Sequence, residues 1–429
     1  MKLKHTYTWL LSLFLAIVIL SGCSSQPTSP TMRPTTSEPG EPLDMPVGEM
    51  APGDDQYTYE RPIALMVSMA QTEDGLYFFS GMSEYFLYYM DKNTGKVSIL
   101  CNKPDCLHDE EPDIERIADC NALFIPGENK NLLFADPYLY VIAPQIDPKT
   151  SAEVYKLIQV SQDGAQRKEI YTFPDKPVSF TIHRGYAYWS TDDGGTEPGR
   201  EAETTTTARI YRLALENMGQ QPEMLFETQG TCAYISKLTG YRNMVYFNYS
   251  TYEDATMAVG HPSVMRINLN NLAVEQVADS AGVYGFCGDK LVFYYNGQLY
   301  MGETNGEGIK PLETAVQDFF FSDDQYIVVD TLMQSLQNEG KPRMLYVYDL
   351  QGQELMHFDI SMIDSDTRYG SDAENIYIGS KSGENEFGPC YSLWTISKDK
   401  IKDGTATVEE AFRYEPKIPD RGVVTSFGG

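Results

Sequence analysis

The segment Val283–Met301 reads VYGFCGDKLVFYYNGQLYM. It opens with an apolar strand, Val283–Cys287, which precedes an aromatic strand at Leu291–Phe293. Asn296-Gly297 then marks a tight hairpin of type I′, because both positions of that turn need a positive φ. Short strands bounded by turn residues, with no helical period, predict β-structure.

The aromatic strand recurs along the chain, each time within a unit of four short strands. In each unit the aromatic strand is the second strand. A third strand and a polar turn follow it, as in Tyr346–Gly352, and a short fourth strand closes the unit, as in Glu354–Phe358. The other copies of the aromatic strand are Leu76-Tyr77-Phe78, Leu139-Tyr140-Val141, Ala187-Tyr188-Trp189, Val245-Tyr246-Phe247, Tyr326-Ile327-Val328 and Ile376-Tyr377-Ile378. Repeats of this size predict propeller blades.

We therefore predict an all-β protein whose body, residues 61–416, is a β-propeller of seven four-stranded blades. Six or eight blades would fit a different segmentation, and a stack of β-sandwiches is the alternative architecture. The pattern is loosest in the last unit, where residues 398–403 interrupt it. Residues 417–429 form a C-terminal tail.

The N-terminus carries the features of an export signal. Lys2 and Lys4 precede an apolar run from Trp9 to Leu20, which is shorter than the roughly 20 residues that span a bilayer. The run ends in Leu20-Ser21-Gly22-Cys23, which resembles the lipobox of bacterial lipoproteins. The resemblance implies that residues 1–22 are a signal peptide and that Cys23 carries the lipid, with palmitate-type acyl chains in the membrane. An uncleaved membrane anchor is the alternative.

Residues 23–60 are predicted to be a tether. This segment is polar and rich in proline, so it cannot bury enough apolar surface to fold. Its prolines are Pro27, Pro30, Pro34, Pro39, Pro42, Pro46 and Pro52. We expect a protein anchored by lipid at the extracytoplasmic side of the cell membrane.

The net charge excludes one class of partner. The whole chain carries −28, and loss of the two lysines of the signal peptide brings the mature chain to about −30. Nucleic-acid binding needs clustered Lys and Arg, so nucleic acid is not an expected partner.

Long connections between the second and third strands predict where function resides. Antiparallel alternation sends these connections and those between blades to one rim of the ring. Only the Asn296-Gly297 hairpin is tight. The long ones are predicted at Pro144–Ser151, Thr191–Thr207, Ser250–Pro262, Thr331–Pro342 and Lys381–Pro389. Long polar loops on a rigid scaffold are where binding sites usually lie.

Three cysteines and a histidine fall in the longest connection between blades. Cys101, Cys106, His108 and Cys120 could supply Cys3His ligation to zinc, or two of the cysteines could form a disulfide. An exported protein can oxidise its thiols, so we favour the disulfide over a zinc site or free thiols and assign no metal or cofactor here. The loop is expected to share the rim of the long loops, since it leaves a fourth strand.

A second resemblance rests on Tyr188-Trp189-Ser190-Thr191 with Ala208–Leu213. These segments resemble the Tyr-Trp-Thr-Asp repeat, and the body is similar to TolB-like and lipoprotein-receptor-like propellers of unknown function. Thr191 stands where that repeat carries Asp, and receptor-type propellers have six blades. The resemblance implies binding or assembly.

No catalytic motif stands out, so the chain is interpreted as a non-catalytic binding protein. Its ligand would be a peptide, a glycan or a partner protein, bound through the long-loop face, where Tyr188 and Trp189 could stack on a sugar. The alternative is a propeller hydrolase or lyase with a noncontiguous site that acts on a glycan or peptide.

Overall fold

A computed structural model describes residues 69–81, 85–124, 132–147, 149–193, 205–254, 256–257, 259–338, 340–364 and 367–418. The signal peptide, Cys23, the tether and most of the tail lie outside the described residues. The described chain folds into seven antiparallel sheets arranged as a seven-bladed β-propeller, as the sequence predicts.

Each blade takes four consecutive strands, lettered a to d from the centre outward. Blade one contains β1 (Met69–Gln71), β2 (Gly75–Gly81), β3 (Tyr85–Asp91) and β4 (Val97–Ile99), with an additional strand β5 (Leu123–Phe124) on β3. Blade two contains β6 (Leu132–Ala135), β7 (Tyr138–Ile146), β8 (Glu153–Ser161) and β9 (Arg167–Phe173). Blade three contains β10 (Ser179–His183), β11 (Tyr186–Asp192), β12 (Thr206–Ala214) and β13 (Glu223–Gly230). Blade four contains β14 (Tyr234–Tyr241), β15 (Met244–Tyr252), β16 (Gly260–Asn268) and β17 (Val274–Asp279).

The remaining blades repeat this order. Blade five contains β18 (Val283–Cys287), β19 (Lys290–Tyr295), β20 (Gln298–Glu303) and β21 (Lys310–Pro311). Blade six contains β22 (Phe319–Ser322), β23 (Ile327–Asp330), β24 (Met344–Tyr348) and β25 (Glu354–Asp359). Blade seven contains β26 (Thr367–Ser371), β27 (Asn375–Asn385), β28 (Gly388–Ser397) and β29 (Glu409–Tyr414).

In the part of the chain that the structure describes, three short α-helices lie in connections between strands. They are α1 (Ile114–Ile117) in the cysteine loop, α2 (Leu332–Gln337) in blade six and α3 (Lys398–Lys402) in blade seven. The interrupted pattern at 398–403 is thus a one-turn helix between the third and fourth strands. Within the described residues, no helix has the length and apolarity to cross a membrane.

The b strands are apolar along their length because a neighbouring blade covers each of their faces. In β7, six consecutive residues from Leu139 to Pro144 are buried. This explains why the aromatic runs of the sequence lack the alternation of a half-exposed sheet. The third-to-fourth-strand ladder also carries a bulge in blades two, three, four, six and seven, which increases the twist of the outer strand.

The ring has two rims. The b–c connections and the blade-to-blade connections lie on one, here called the long-loop rim, and the a–b and c–d turns lie on the opposite rim. Blade five has the predicted tight hairpin, with φ of 46° at Asn296 and 79° at Gly297. The predicted loop Lys381–Pro389 is wrong, because β27 and β28 stay paired as far as Asn385 and Gly388. A bulge at 381–383 lets this ladder continue past the point where the sequence pattern breaks.

Blades one and seven close the ring without sharing a strand among the described residues. The rings of Phe78 and Phe412 meet across this seam at 5.5 Å. Lys92 Nζ lies 2.9 Å from Asp372 Oδ2, which joins a turn of blade one to a turn of blade seven. Among the described residues, contacts between side chains therefore hold blade one against blade seven.

Candidate functional site

The cysteine loop interrupts the outer strand of blade one. The N–H of Leu100 donates to the carbonyl of Leu87 at 2.8 Å, and the N–H of Leu87 donates to the carbonyl of Ala122 at 2.9 Å. The chain thus leaves β3 and returns to it at a single residue, Leu87. This brings Cys101 and Cys120, at the two ends of the excursion, next to each other.

The predicted rim position of this loop is wrong. A loop that followed a complete fourth strand would reach the long-loop rim, but here β4 stops at Ile99 and the outer edge resumes with β5. The ends of the loop therefore lie at mid-height on the outer edge of blade one. Asn121 Nδ2 donates to the carbonyls of Gly164 (2.8 Å) and Ala165 (3.2 Å), in the c–d turn of blade two.

Short backbone turns position Cys106, His108 and Cys120 within the loop. Cys106 N–H donates to the Lys103 carbonyl at 3.3 Å, and Cys120 N–H donates to the Ile117 carbonyl at 2.9 Å. His108 has a φ of 53°, which is uncommon for a residue with a side chain, and it begins a short 3-10 turn. Ile117 is fully buried and attaches the loop to the core of blade one.

The four side chains form one cluster, defined here as the Cys3His cluster. The donor atoms of Cys101, Cys106, His108 and Cys120 all lie within 4.8 Å of one another. Nδ1 of His108 lies 3.7 Å from Sγ of Cys120. Within the described residues, no other group of His, Cys, Asp and Glu gathers in this way.

Hydrogen bonds act on two of the sulfur atoms. Burial by itself raises the pKa of the Cys101 thiol, but the backbone N–H groups of Lys103 and Asn121 donate to it and bring the pKa below its usual value. Burial raises the pKa of Cys120, against an N–H bond from Ala122. The Cys101 thiol therefore ionises more easily than an ordinary thiol. The Cys120 thiol ionises less easily and would need a nearby cation to lose its proton.

The histidine and a neighbouring arginine complete the electrostatics. Burial lowers the pKa of His108, so its imidazole is neutral at pH 7 and keeps a free lone pair. The Arg167 guanidinium donates to the carbonyls of Leu123 and, at 3.5 Å, Cys120, and lies 4.1 Å from the centre of the Phe124 ring. Burial lowers the pKa of Arg167 to about 10, which still leaves it charged at pH 7.

The six described cysteines carry free thiols in the structure. Cys232, Cys287 and Cys390 are buried outside the Cys3His cluster. Arranged this way, the cluster has two chemical options: it can hold one metal ion with four protein ligands, or it can oxidise a pair of its three thiols.

Tyr188 and Trp189 do not lie on the ligand face, which corrects the suggestion that they could stack on a sugar. Their exposed fractions are 0% and 1%. Trp189 stacks on Tyr211 at 5.7 Å and meets the edge of Phe173, from blade two, at 5.3 Å. Both residues belong to the core between blades two, three and four.

The long-loop rim carries most of the exposed apolar side chains of the described residues. Eight large apolar side chains are exposed, and five of them lie on this rim. The five are Ile146 (37%), Met257 (40%), Val259 (42%), Leu336 (59%) and Met362 (57%). Leu107 belongs to the cysteine loop, while Ile309 and Leu355 lie towards the opposite rim. The five rim side chains come from the connections of blades two, four and six and from the connection between blades six and seven, on the rim whose long loops suit a binding site.

A tyrosine pair that the sequence reasoning missed lies on the same rim. Tyr234 and Tyr252 stack with ring centroids 6.2 Å apart and an interplanar angle of 15°. Both are half-buried, at the rim ends of β14 and β15. A Cβ at Gly260 would lie 3.0 Å from the Tyr252 ring, so the glycine gives that ring its room. No motif identified these residues, since β14 and β15 carry tyrosines throughout.

Comparison with known proteins adds three distant structural likenesses. No protein-family model and no curated protein matches the chain. Apo AztD from Citrobacter koseri is 11% identical with a TM-score of 0.46, over 80% of this chain and 95% of that one. A structure of the nidogen/laminin complex is 13% identical with a TM-score of 0.37, over 66% and 92%. A puromycin-hydrolyzing peptidase of Mycobacterium tuberculosis is 9% identical with a TM-score of 0.41, and the 82% of this chain that matches spans 61% of it.

Proposed function

We propose that this protein is a lipid-anchored, extracytoplasmic propeller that binds a peptide or protein segment through its long-loop rim. The five exposed apolar side chains on that rim carry the proposal. The lipobox at Cys23 and the proline-rich tether support the location, because they would hold the ring away from the membrane on a flexible arm. The Tyr-Trp-Thr-Asp and TolB-like resemblance is consistent with a binding role.

Blade four is the proposed centre of the site. Tyr234 and Tyr252 present rigid aromatic rings, which bury much area at low cost in conformational entropy. Met257 and Val259 lie in the adjoining connection, at 40% and 42% exposure. Exposed apolar residues in the connection that follows Tyr252 suit the apolar side chains of a peptide better than the hydroxyls of a glycan.

The test is a peptide and glycan array probed with the purified full-length protein and with two matched variants. Val259→Glu puts a charge on the long-loop rim in the blade-four connection, and Ile309→Glu puts the same charge on the opposite rim. We expect peptide ligands whose binding falls at least about tenfold in Val259→Glu, a loss of about 1.4 kcal/mol, and is unchanged in Ile309→Glu. Equal loss in both variants, or glycan ligands only, would contradict the proposal.

Catalysis on the same rim is the alternative. His261 and Glu253 lie there, with Nε2 and Oε1 3.8 Å apart, but both side chains are more than half exposed. A pair this exposed is an ordinary surface contact. Cleavage of an array peptide that stops in His261→Ala would favour the hydrolase over the binding protein.

A further inference from the structure

We propose that Cys101, Cys106, His108 and Cys120 bind one Zn²⁺ ion, which fixes the cysteine loop as a clamp across the closing seam of the propeller. The four residues lie outside the long-loop rim, so their metal content can be measured independently of ligand binding there.

The spacing of the donors fits a tetrahedral site. Zinc–sulfur and zinc–nitrogen bonds of about 2.3 Å and 2.0–2.1 Å give tetrahedral edges of about 3.6–3.8 Å. Nδ1 of His108 and Sγ of Cys120 are 3.7 Å apart, and no pair of donor atoms in the cluster exceeds 4.8 Å. Small side-chain rotations would bring all four donors to bonding distance.

The donor types select zinc and a structural role. Three thiolates with one imidazole are a soft donor set that suits Zn²⁺ and disfavours Mg²⁺ or Ca²⁺. Four protein ligands fill a tetrahedral shell and leave no position for water or substrate, as in structural rather than catalytic zinc sites. On binding, each thiol that is still protonated releases its proton to solvent.

Groups around the cluster match the charge that such a complex would carry. Zn²⁺ with three thiolates and a neutral imidazole has a net charge of −1. The Arg167 guanidinium beside Cys120 has no carboxylate within ion-pair distance among the described residues, so it is available to balance this charge.

A disulfide explains the positions of fewer of these four side chains than a zinc site does. It would join two sulfur atoms and leave the third thiol and the imidazole of His108 in the cluster without a role. His108 lies in an uncommon backbone conformation, yet its ring is directed at the sulfur of Cys120. A zinc site uses all four side chains.

The cysteine loop touches both neighbours of blade one. Asn121 donates to the carbonyls of Gly164 and Ala165 in blade two. On the other side, Glu110 Oε1 lies 2.6 Å from Nζ of Lys417, just beyond the last strand of blade seven. Since blades one and seven share no described strand, a metal-fixed loop would add a tie where the ring closes.

The first experiment measures metal in the full-length protein, extracted in detergent and purified without chelator. We expect about one equivalent of zinc per chain by elemental mass spectrometry. Cys106→Ser and His108→Ala should retain only a minor fraction, whereas the matched control Cys390→Ala should keep the full equivalent. Uptake of Co²⁺ by the unmutated, metal-stripped protein should produce the absorption bands of tetrahedral cobalt thiolate, a readout independent of variant folding.

The second experiment tests the clamp. Chelation should lower the unfolding temperature of the unmutated protein and of Cys390→Ala but leave that of Cys106→Ser unchanged. The proposal is overturned if reduced protein takes up neither zinc nor cobalt, or if mass spectrometry finds a disulfide within the cluster. It is also overturned if both ligand variants keep their zinc. If removal of zinc leaves the unfolding temperature unchanged, the proposed role of the loop as a clamp is wrong.

Discussion

Lys398 Nζ lies 2.8 Å from Oδ2 of Asp323, and both side chains are 1% exposed. Asp323 follows the inner strand of blade six, where its other oxygen accepts the N–H groups of Gln325 and Tyr326. Lys398 comes from the third-to-fourth-strand connection of blade seven. Asp372 and Lys92 repeat the relationship between blades seven and one, at 2.9 Å. Ion pairs of one kind, fully buried in the first case and largely buried in the second, thus join blade six to blade seven and blade seven to blade one.

Removal of the Lys398 ammonium should destabilise the propeller strongly. Lys398→Met leaves the Asp323 carboxylate buried without its cation, for which about 3–5 kcal/mol of unfolding free energy is expected to be lost. Lys400→Met is the matched control, since Lys400 is 50% exposed in its pair with Glu409 and should contribute less than about 1 kcal/mol. Denaturant titrations compare the two. Equal losses would contradict the importance of burial here.

The Asp372 pair should make closure sensitive to acid. Burial opposes ionisation of Asp372, but hydrogen bonds from Tyr377 and Lys92 outweigh it and lower the pKa of the carboxyl below its usual value. A lowered folded-state pKa adds stability above the unfolded pKa of about 3.9, and this stability is lost as pH falls through the folded value. Unfolding free energy measured from pH 6 to 3 should therefore fall less steeply in Asp372→Asn than in the unmutated protein. Identical slopes would show that the pair does not contribute.

Trp189 should matter for stability and not for ligand binding. Trp189→Ala empties a fully buried position between blades and should lower the unfolding free energy by about 3–5 kcal/mol. The half-buried Trp394 should cost less when replaced by Ala. Trp189→Phe, which keeps an aromatic ring, should bind array ligands as the unmutated protein does. Loss of ligand binding in a stably folded Trp189→Phe variant would contradict this prediction and indicate that Trp189 contributes to the ligand site.

Cys23→Ala tests the proposed anchor. The variant should appear in the soluble fraction or as an unprocessed precursor, because the lipid has no other acceptor at the lipobox. Fractionation and intact-mass measurement read this directly, with Cys390→Ala as a cysteine control that stays in the membrane. Normal processing and full membrane retention of Cys23→Ala would be incompatible with the lipobox interpretation.

The sequence predicted the ring because blade strands repeat a local signal. Aromatic runs such as Val245-Tyr246-Phe247 and turn residues such as Asn296-Gly297 are determined by nearest neighbours, and the structure confirms both. The extension of β27 and β28 was missed because pairing across a bulge depends on the partner strand. The buried pair of Lys398 and Asp323 was missed because charges lying 75 residues apart give no periodic pattern.

The candidate sites divide in the same way. The four members of the Cys3His cluster stood out by residue type, but their convergence depends on Leu87, which bonds both ends of the loop. These two hydrogen bonds also place the cluster on the outer edge of blade one, which a count of strands in the sequence could not predict. The stacked Tyr234 and Tyr252 depend on contact between two strands of one blade, and tyrosine is too frequent here to mark them.

The central claim is that ligands bind the long-loop rim, and hydrogen exchange with a ligand selected on the array tests it most directly. Mass spectrometry would compare backbone exchange of the full-length protein with and without that ligand. We predict slower exchange in the blade-four connection 253–259 and the blade-six connection 331–343, with turns such as 304–309 on the opposite rim unchanged. Protection confined to the opposite rim, or absent from both rims at saturating ligand, would contradict it.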